Sequence, residues 1–158
     1  MIKKVVQIGF PVFLVVLLFS LQSVGAYLGS HPSIPQEKEI VNVNLDENKL
    51  MNLVQAWRVK NNLPEYTKSI KTCGVASIRL DEVSNDFSHD SFLKRSKQED
   101  YWGYNHVGEN LAKDHRSENL MLDAWLNSAS HEANLKDNYT ESCIRCSGST
   151  CVQIFAGY

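Results

Sequence analysis

Little in this chain is of the kind that marks a hydrolytic enzyme. No Gly-x-Ser-x-Gly segment occurs in its 158 residues, so the strained elbow that raises a nucleophilic serine is missing. The 16 Lys and Arg are outnumbered by 18 Asp and Glu, and they gather in no stripe, which excludes nucleic acid as a partner. There are no internal repeats and no low-complexity tracts, so the chain does not read as a repeat array. Cysteine is scarce, at four residues, all after the first 72. Cys143-x-x-Cys146 lacks the second paired knuckle that a structural zinc site takes, because only Cys73 and Cys151 are left.

What is present begins with an export signal. Lys3 and Lys4 precede an apolar run from Val5 to Leu21, and Val24-Gly25-Ala26 offers small residues for cleavage. The run also nears the roughly 20 apolar residues that span a bilayer, so a retained anchor stays open beside a cleaved signal. Both readings put the rest of the chain outside the cytoplasm, because positive residues stay inside. Residues 1–26 are therefore expected to be a signal peptide or N-terminal signal anchor. Residues 27–43, with Gly29, Pro32 and Pro35 and no periodicity, read as a linker. Residues 44–158 make one domain large enough for its own core. In an exported domain an even number of cysteines reads as disulfides.

Within that domain, Asn44-Leu45-Asp46-Glu47 predicts a capping box with Asn44 as N-cap. Leu50, Leu53, Val54 and Trp57 follow at helical spacing, and Asn61-Asn62-Leu63-Pro64 ends that helix. A second helix is predicted with Ile70, Cys73, Ala76, Leu80 and Val83 on one face. Residues 91–100 are expected to form a charged surface helix. Ser117 caps another, with Leu120, Met121, Ala124 and Trp125 inward, and a short helical turn carries His131 to Leu135. Strands are expected at 108–113, 140–146 and 151–156. The turn-rich Ser147-Gly148-Ser149-Thr150 makes the last two a hairpin, which sets Cys146 opposite Cys151. Side chains alternate along a strand, so Cys143 points to the face opposite Cys146.

Four pieces then stand in a telling order: Phe87-Ser88-His89, Gly108-Glu109-Asn110-Leu111, Trp125 through His131, and Cys151 through Gly157. Together they resemble the bacterial form of the CAP superfamily, the cysteine-rich secretory, antigen five and pathogenesis-related proteins with their SCP-like extracellular domain. The resemblance runs from about Leu45 to Tyr158. It implies an α+β fold, an α-β-α sandwich with a small antiparallel sheet of about three strands between helices. That fold puts Cys73 on a packed helix where Cys143 reaches it, so the implied bridges are Cys73–Cys143 and Cys146–Cys151. It also implies a cleft lined by His89, Glu109 and His131. Plant members carry the leading histidine just before Gly-Glu-Asn, which makes His106 the alternative to His89.

Neutral imidazole is the commonest metal ligand, so His89 and His131 are the candidate ligands of a Zn²⁺ ion with a position left open. A carboxylate beside them would orient a water or act as general base. Many eukaryotic members carry a second glutamate where this chain has Ser128, which makes any such site weak. The plainer reading is that Glu109 braces the cleft and His131 caps its helix. Tyr101, Trp102 and Tyr104 read as core or cleft wall. The resemblance fixes no reaction. The expected function is an extracytoplasmic binding or interaction module for a protein, peptide or lipid-like ligand, rather than an enzyme. A metal-assisted hydrolase is the alternative. Membrane contact is expected only through the N-terminal segment, if it is retained.

Overall fold

A computed structural model describes residues 42–97 and 103–158. The expected leader, nearly all of the linker, Tyr101 and Trp102 lie outside those residues. Among the described residues no helix is long and apolar enough to cross a membrane.

The elements run α1 (Glu47–Lys60), α2 (Ile70–Asn85), α3 (Asp90–Ser96), β1 (His106–Ala112), α4 (Glu118–Leu126), α5 (Ala129–Lys136), β2 (Glu141–Ser147) and β3 (Thr150–Gly157). The strands form one antiparallel sheet in the order β1-β3-β2. Alternation along β3 builds two cores. Cys151 and Phe155 pack with Leu50, Val54, Met121, Trp125 and Leu135 of α1, α4 and α5. Val152 and Ile154 pack on the other face with Cys73, Ala76 and Val83 of α2 and Phe92 of α3. Helices therefore cover both faces, and β3 is buried from Cys151 to Gly157. This is the expected α-β-α sandwich.

Several local expectations shift by a residue or two, each for a visible reason. The N-cap of α1 is Asp46, not Asn44; its carboxylate accepts from the Asn48 and Lys49 amides at 2.8 and 3.2 Å. The Leu45 amide is already bound to the Gly148 carbonyl of the hairpin turn, so the helix starts beyond it. Val43, read as linker, packs against the first core. The buried stripe of α1 is Leu50, Met51, Val54 and Arg58, with Leu53 and Trp57 only half-buried. Arg58 turns the stripe because it satisfies buried carbonyls at a helix end. Its Nη1 donates to Leu135 O at 2.7 Å and Tyr66 Oη at 2.5 Å, and its Nε to Pro64 O at 2.7 Å. In α2, Ile70 is 94% exposed rather than inward. The N-cap before it, Ser69, takes the sheet-facing place by donating to Glu141 Oε2 at 2.5 Å. In α4, Leu122 is buried where Leu120 was expected, although Ser117 does cap the helix through the Leu120 amide.

Ser147 pairs with Thr150, so the hairpin loop is the two residues Gly148-Ser149, with Gly148 at φ 58° as such a tight turn requires. Cys146 faces Cys151 across it, and these two are bonded. Cys143, on the other face, is bonded to Cys73 of α2.

The bridges close loops of very different length, with sequence separations of 70 and 5. In the chain-entropy account the first contributes about 4 kcal/mol and the second about 2 kcal/mol. Urea unfolding of Cys73→Ala/Cys143→Ala should therefore show about twice the loss of Cys146→Ala/Cys151→Ala; equal losses would contradict it. A second expectation concerns acid. Glu118 pairs with Lys49 Nζ at 2.7 Å and accepts the Asp46 amide at 3.0 Å, tying α4 to the start of α1. The lysine first and the amide second hold its carboxyl at about 2 instead of 4.5. The stability this lends is complete above pH 4.5 and is lost as pH falls toward 2. Unfolding curves should show Glu118→Gln weaker than wild type near neutrality, with the gap closing across that window.

Candidate functional site

Alternation along β1 decides which side chains meet. Val107, Glu109 and Leu111 turn toward α2, while His106, Gly108 and Asn110 turn to the opposite face. The Glu109 side chain is 1% exposed, as is that of Arg79 from α2. Arg79 Nε donates to Glu109 Oε2 at 2.6 Å and Nη2 to Oε1 at 3.2 Å, a two-pronged hold. Nη2 also donates to the Ser88 carbonyl at 2.9 Å, and Nη1 pairs with Glu82, which Arg95 pairs in turn. Burial pulls the guanidinium down, but the hydrogen bonds it donates to Glu109 and Glu82 outweigh it and leave its pKa raised.

His89 stands directly after that Ser88 carbonyl, at the start of α3, with its Nδ1 2.8 Å from Glu109 Oε1. A carboxylate only accepts, so Nδ1 carries a proton in this contact, and Nε2 is the ring nitrogen not engaged with Glu109. His131, in the first turns of α5, has its ring centroid 6.3 Å from that of His89. Burial, and then the neighbouring His89, lower its pKa below 6.5, so it is neutral at pH 7. The two imidazoles border a cleft of about 390 Å³, walled by Phe92, Leu93 and Val107, with Ser130 and Asn134 as further polar groups. A larger groove of about 480 Å³ runs along α2 by Ile70, Gly74 and Arg145, but holds no histidine and no buried acid.

Helix α5 lies close against β1. Asn134 Nδ2 donates to the Glu109 carbonyl at 3.1 Å and to Asn110 Oδ1 at 2.9 Å, and Asn110 Nδ2 donates to the His131 carbonyl at 3.1 Å. Gly108 permits this approach: a Cβ there would sit 2.6 Å from Tyr139 Oη and 3.2 Å from Asn134 Oδ1. His106 is not in the cleft. An odd step from Glu109, it faces the other way, bonds Asp137 through Nε2 at 3.0 Å and stacks on Tyr139. Its nearness to Gly-Glu-Asn in sequence does not bring it to the site.

No family model matches the chain, and no curated protein does. Solved structures do. An extracellular protein of Bacillus anthracis containing an SCP domain is 26% identical, with a TM-score of 0.61, over 71% of this chain and 40% of its own. A cysteine-rich secretory protein of Staphylococcus aureus is 18% identical, with a TM-score of 0.63, over 71% of this chain and 38% of its own. An outer surface protein of Borrelia burgdorferi is 21% identical, with a TM-score of 0.61, over 70% of this chain and 90% of its own. The fold is that of a bacterial CAP domain. This chain spans about two fifths of the first two proteins and most of the third.

The donors of this cleft do not fit Zn²⁺ as they stand. Two imidazoles sharing a tetrahedral zinc have ring centroids roughly 5 Å apart, against 6.3 Å between His89 and His131. Both Glu109 oxygens are already taken. Among the described residues, no three His, Cys, Asp or Glu side chains stand together as a metal site. Ser128, at the N-cap of α5, adds no carboxylate.

Two members of the site escape the sequence reading, Arg79 and Asn134. Arg79 left a trace: it falls three residues after Ala76 and four before Val83, on the apolar stripe of α2. A charge in such a stripe points to a buried partner. Asn134 left none.

The pKa of His131 supplies a test of the geometry. Removing the neighbouring ring opens the cleft to water and takes away the second of the two influences that lower it. An NMR titration should find His131 below 6.5 in wild type and closer to 6.5 in His89→Ala. An unchanged value would separate the two rings.

Proposed function

We propose that this CAP domain is an extracytoplasmic binding module, and that the cleft at His89, Glu109 and His131 takes a short peptide segment of a partner protein. The observation that carries this reading is the commitment of Glu109. Arg79 and His89 occupy its carboxylate, so it is not free to act as a base. What the cleft offers is an apolar rim at Leu93, Phe92 and Val107 beside imidazole edges and an amide at Asn134. Apolar walls with a few placed polar groups suit binding. Leu93, 50% exposed, is available to a side chain of the ligand. Two disulfides, the leader read at residues 1–26, and similarity to proteins described as extracellular, secretory or outer-surface all support a place outside the cytoplasm. A metal-assisted hydrolase has less support, because the donors do not make a metal site.

Selection of a displayed peptide library on the folded domain tests the reading. Enriched peptides should shift the NMR signals of His89, Val107 and His131. They should bind Leu93→Asp about tenfold or more weakly, the scale of losing one anchor in a binding site. Peptides that map elsewhere, or enrichment of none while lipid vesicles bind at the cleft, would refute it. Recovery of the bound peptides in cleaved form would establish the hydrolase instead.

A further inference from the structure

We propose that the outer face of α2 is a contact between two copies of this chain, packed antiparallel about Gly74. Ile70, Gly74 and Ile78 follow one another at a helical repeat, so they form one stripe, and all three are exposed. Ile70 is 94% exposed and Ile78 40%. Gly74 stands between them, although a Cβ there would meet nothing within 4 Å among the described residues. Nothing packed against it in the single chain therefore calls for glycine. Glycine weakens a helix interior, and what it permits is the close approach of another backbone. Beside the stripe runs the groove of about 480 Å³, with Lys68, Ile70, Gly74 and Arg145 in its walls. It shares no lining residue with the cleft at His89 and His131.

Charge selects a second copy as the occupant. One end of the stripe is basic, at Lys68, and the other acidic, at Asp81, and the two stand almost equally far from Gly74 along the chain. Lys68 Nζ donates to a neutral partner, Asn48 Oδ1, at 3.2 Å, and no salt bridge among the described residues includes it or Asp81. Two helices crossing antiparallel at Gly74 set Asp81 of each copy against Lys68 of the other, and Ile78 against Ile70. The helix dipole is answered by the same arrangement. α2 has no acid in its first turn and no base in its last, whereas its N-terminal end favours an anion and its C-terminal end a cation. The second copy lays Asp81 beside the first end and Lys68 beside the other. One face of a 16-residue helix, about 24 Å long, is at the small end of protein interfaces, so the pairing is reversible.

The reading of the cleft plays no part here, so the outcome of peptide selection leaves the inference untouched. The test mixes exported chain made with light and with heavy nitrogen, and couples lysine to carboxylate with a zero-length carbodiimide. Mass spectrometry should find Lys68 joined to Asp81 between a light and a heavy chain. About 17 Å of helix separates Ile70 from Asp81, so the link cannot form within one chain. Sedimentation equilibrium from about 1 µM to about 1 mM should show monomer passing to dimer. Ile70→Glu and Gly74→Gln should each weaken the dimer about tenfold or more while staying folded, because neither position packs on its own domain. Lys68→Glu should weaken it as well, and Lys68→Glu/Asp81→Lys should recover it, since opposite charges face each other again. A chain that stays monomeric across that range overturns the proposal. So does a dimer indifferent to Ile70→Glu and Gly74→Gln, or a double variant no tighter than Lys68→Glu.

Discussion

A carboxylate sealed from water must meet a cation or give up its charge, and inside this domain Glu109 meets Arg79. The partners come from different layers, one from the edge strand β1 and one from α2 beneath the sheet. Their contact therefore requires β1, α2 and the loop after α2 to be in register at once. The Ser88 carbonyl joins the same guanidinium, which brings His89 to the carboxylate. On the other side Asn134 holds the Glu109 carbonyl and so brings α5, with His131, alongside. Breaking a buried pair by deleting one partner costs about 3–5 kcal/mol, enough to consume much of the stability of a domain this size.

The layers of the fold were legible from short-range rules. The hairpin follows from its turn residues, and strand alternation separates Cys143 from Cys146, which the structure places on opposite faces. Where those rules tie, the sequence does not choose. Asn44 and Asp46 are comparable N-caps; the choice falls to Asp46 because the Leu45 amide is bound to a turn more than 100 residues later. Periodicity alone turns Ile70 inward, yet it is exposed, and the hydroxyl of Ser69 holds the sheet instead. Only long-range contacts decide such cases.

The site was half-legible for a different reason. Short motifs mark Glu109 and the two histidines, but nothing near them marks the arginine that governs them, because Arg79 lies 30 residues from Glu109 in sequence. Its signal was a mismatch between its charge and the apolar stripe around it. His106 shows the reverse error. It is near Glu109 in sequence yet on the wrong face, and strand parity alone contained that answer. The domain shares its fold with proteins more than twice its covered length, and fold by itself assigns no activity. The chemistry of this cleft has to be argued from its own arginine.

The Cys73–Cys143 bridge bears on how this domain can change over time. It pins α2 to β2 at one point, and Arg79 lies farther along the same helix. Each residue of helix advances about 1.5 Å and turns about 100°. A single insertion or deletion between Cys73 and Arg79 would swing the guanidinium out of the interior while the bridge kept the helix start in place. Gly74 and Ile78, in that stretch, face outward, and the fold of the single domain leaves them free to vary in kind. The number of residues there is not free: the stretch works as a gauge block, open to an exchange of letters at its exposed positions, with Val75 and Ala76 held in the core, but to no change of length.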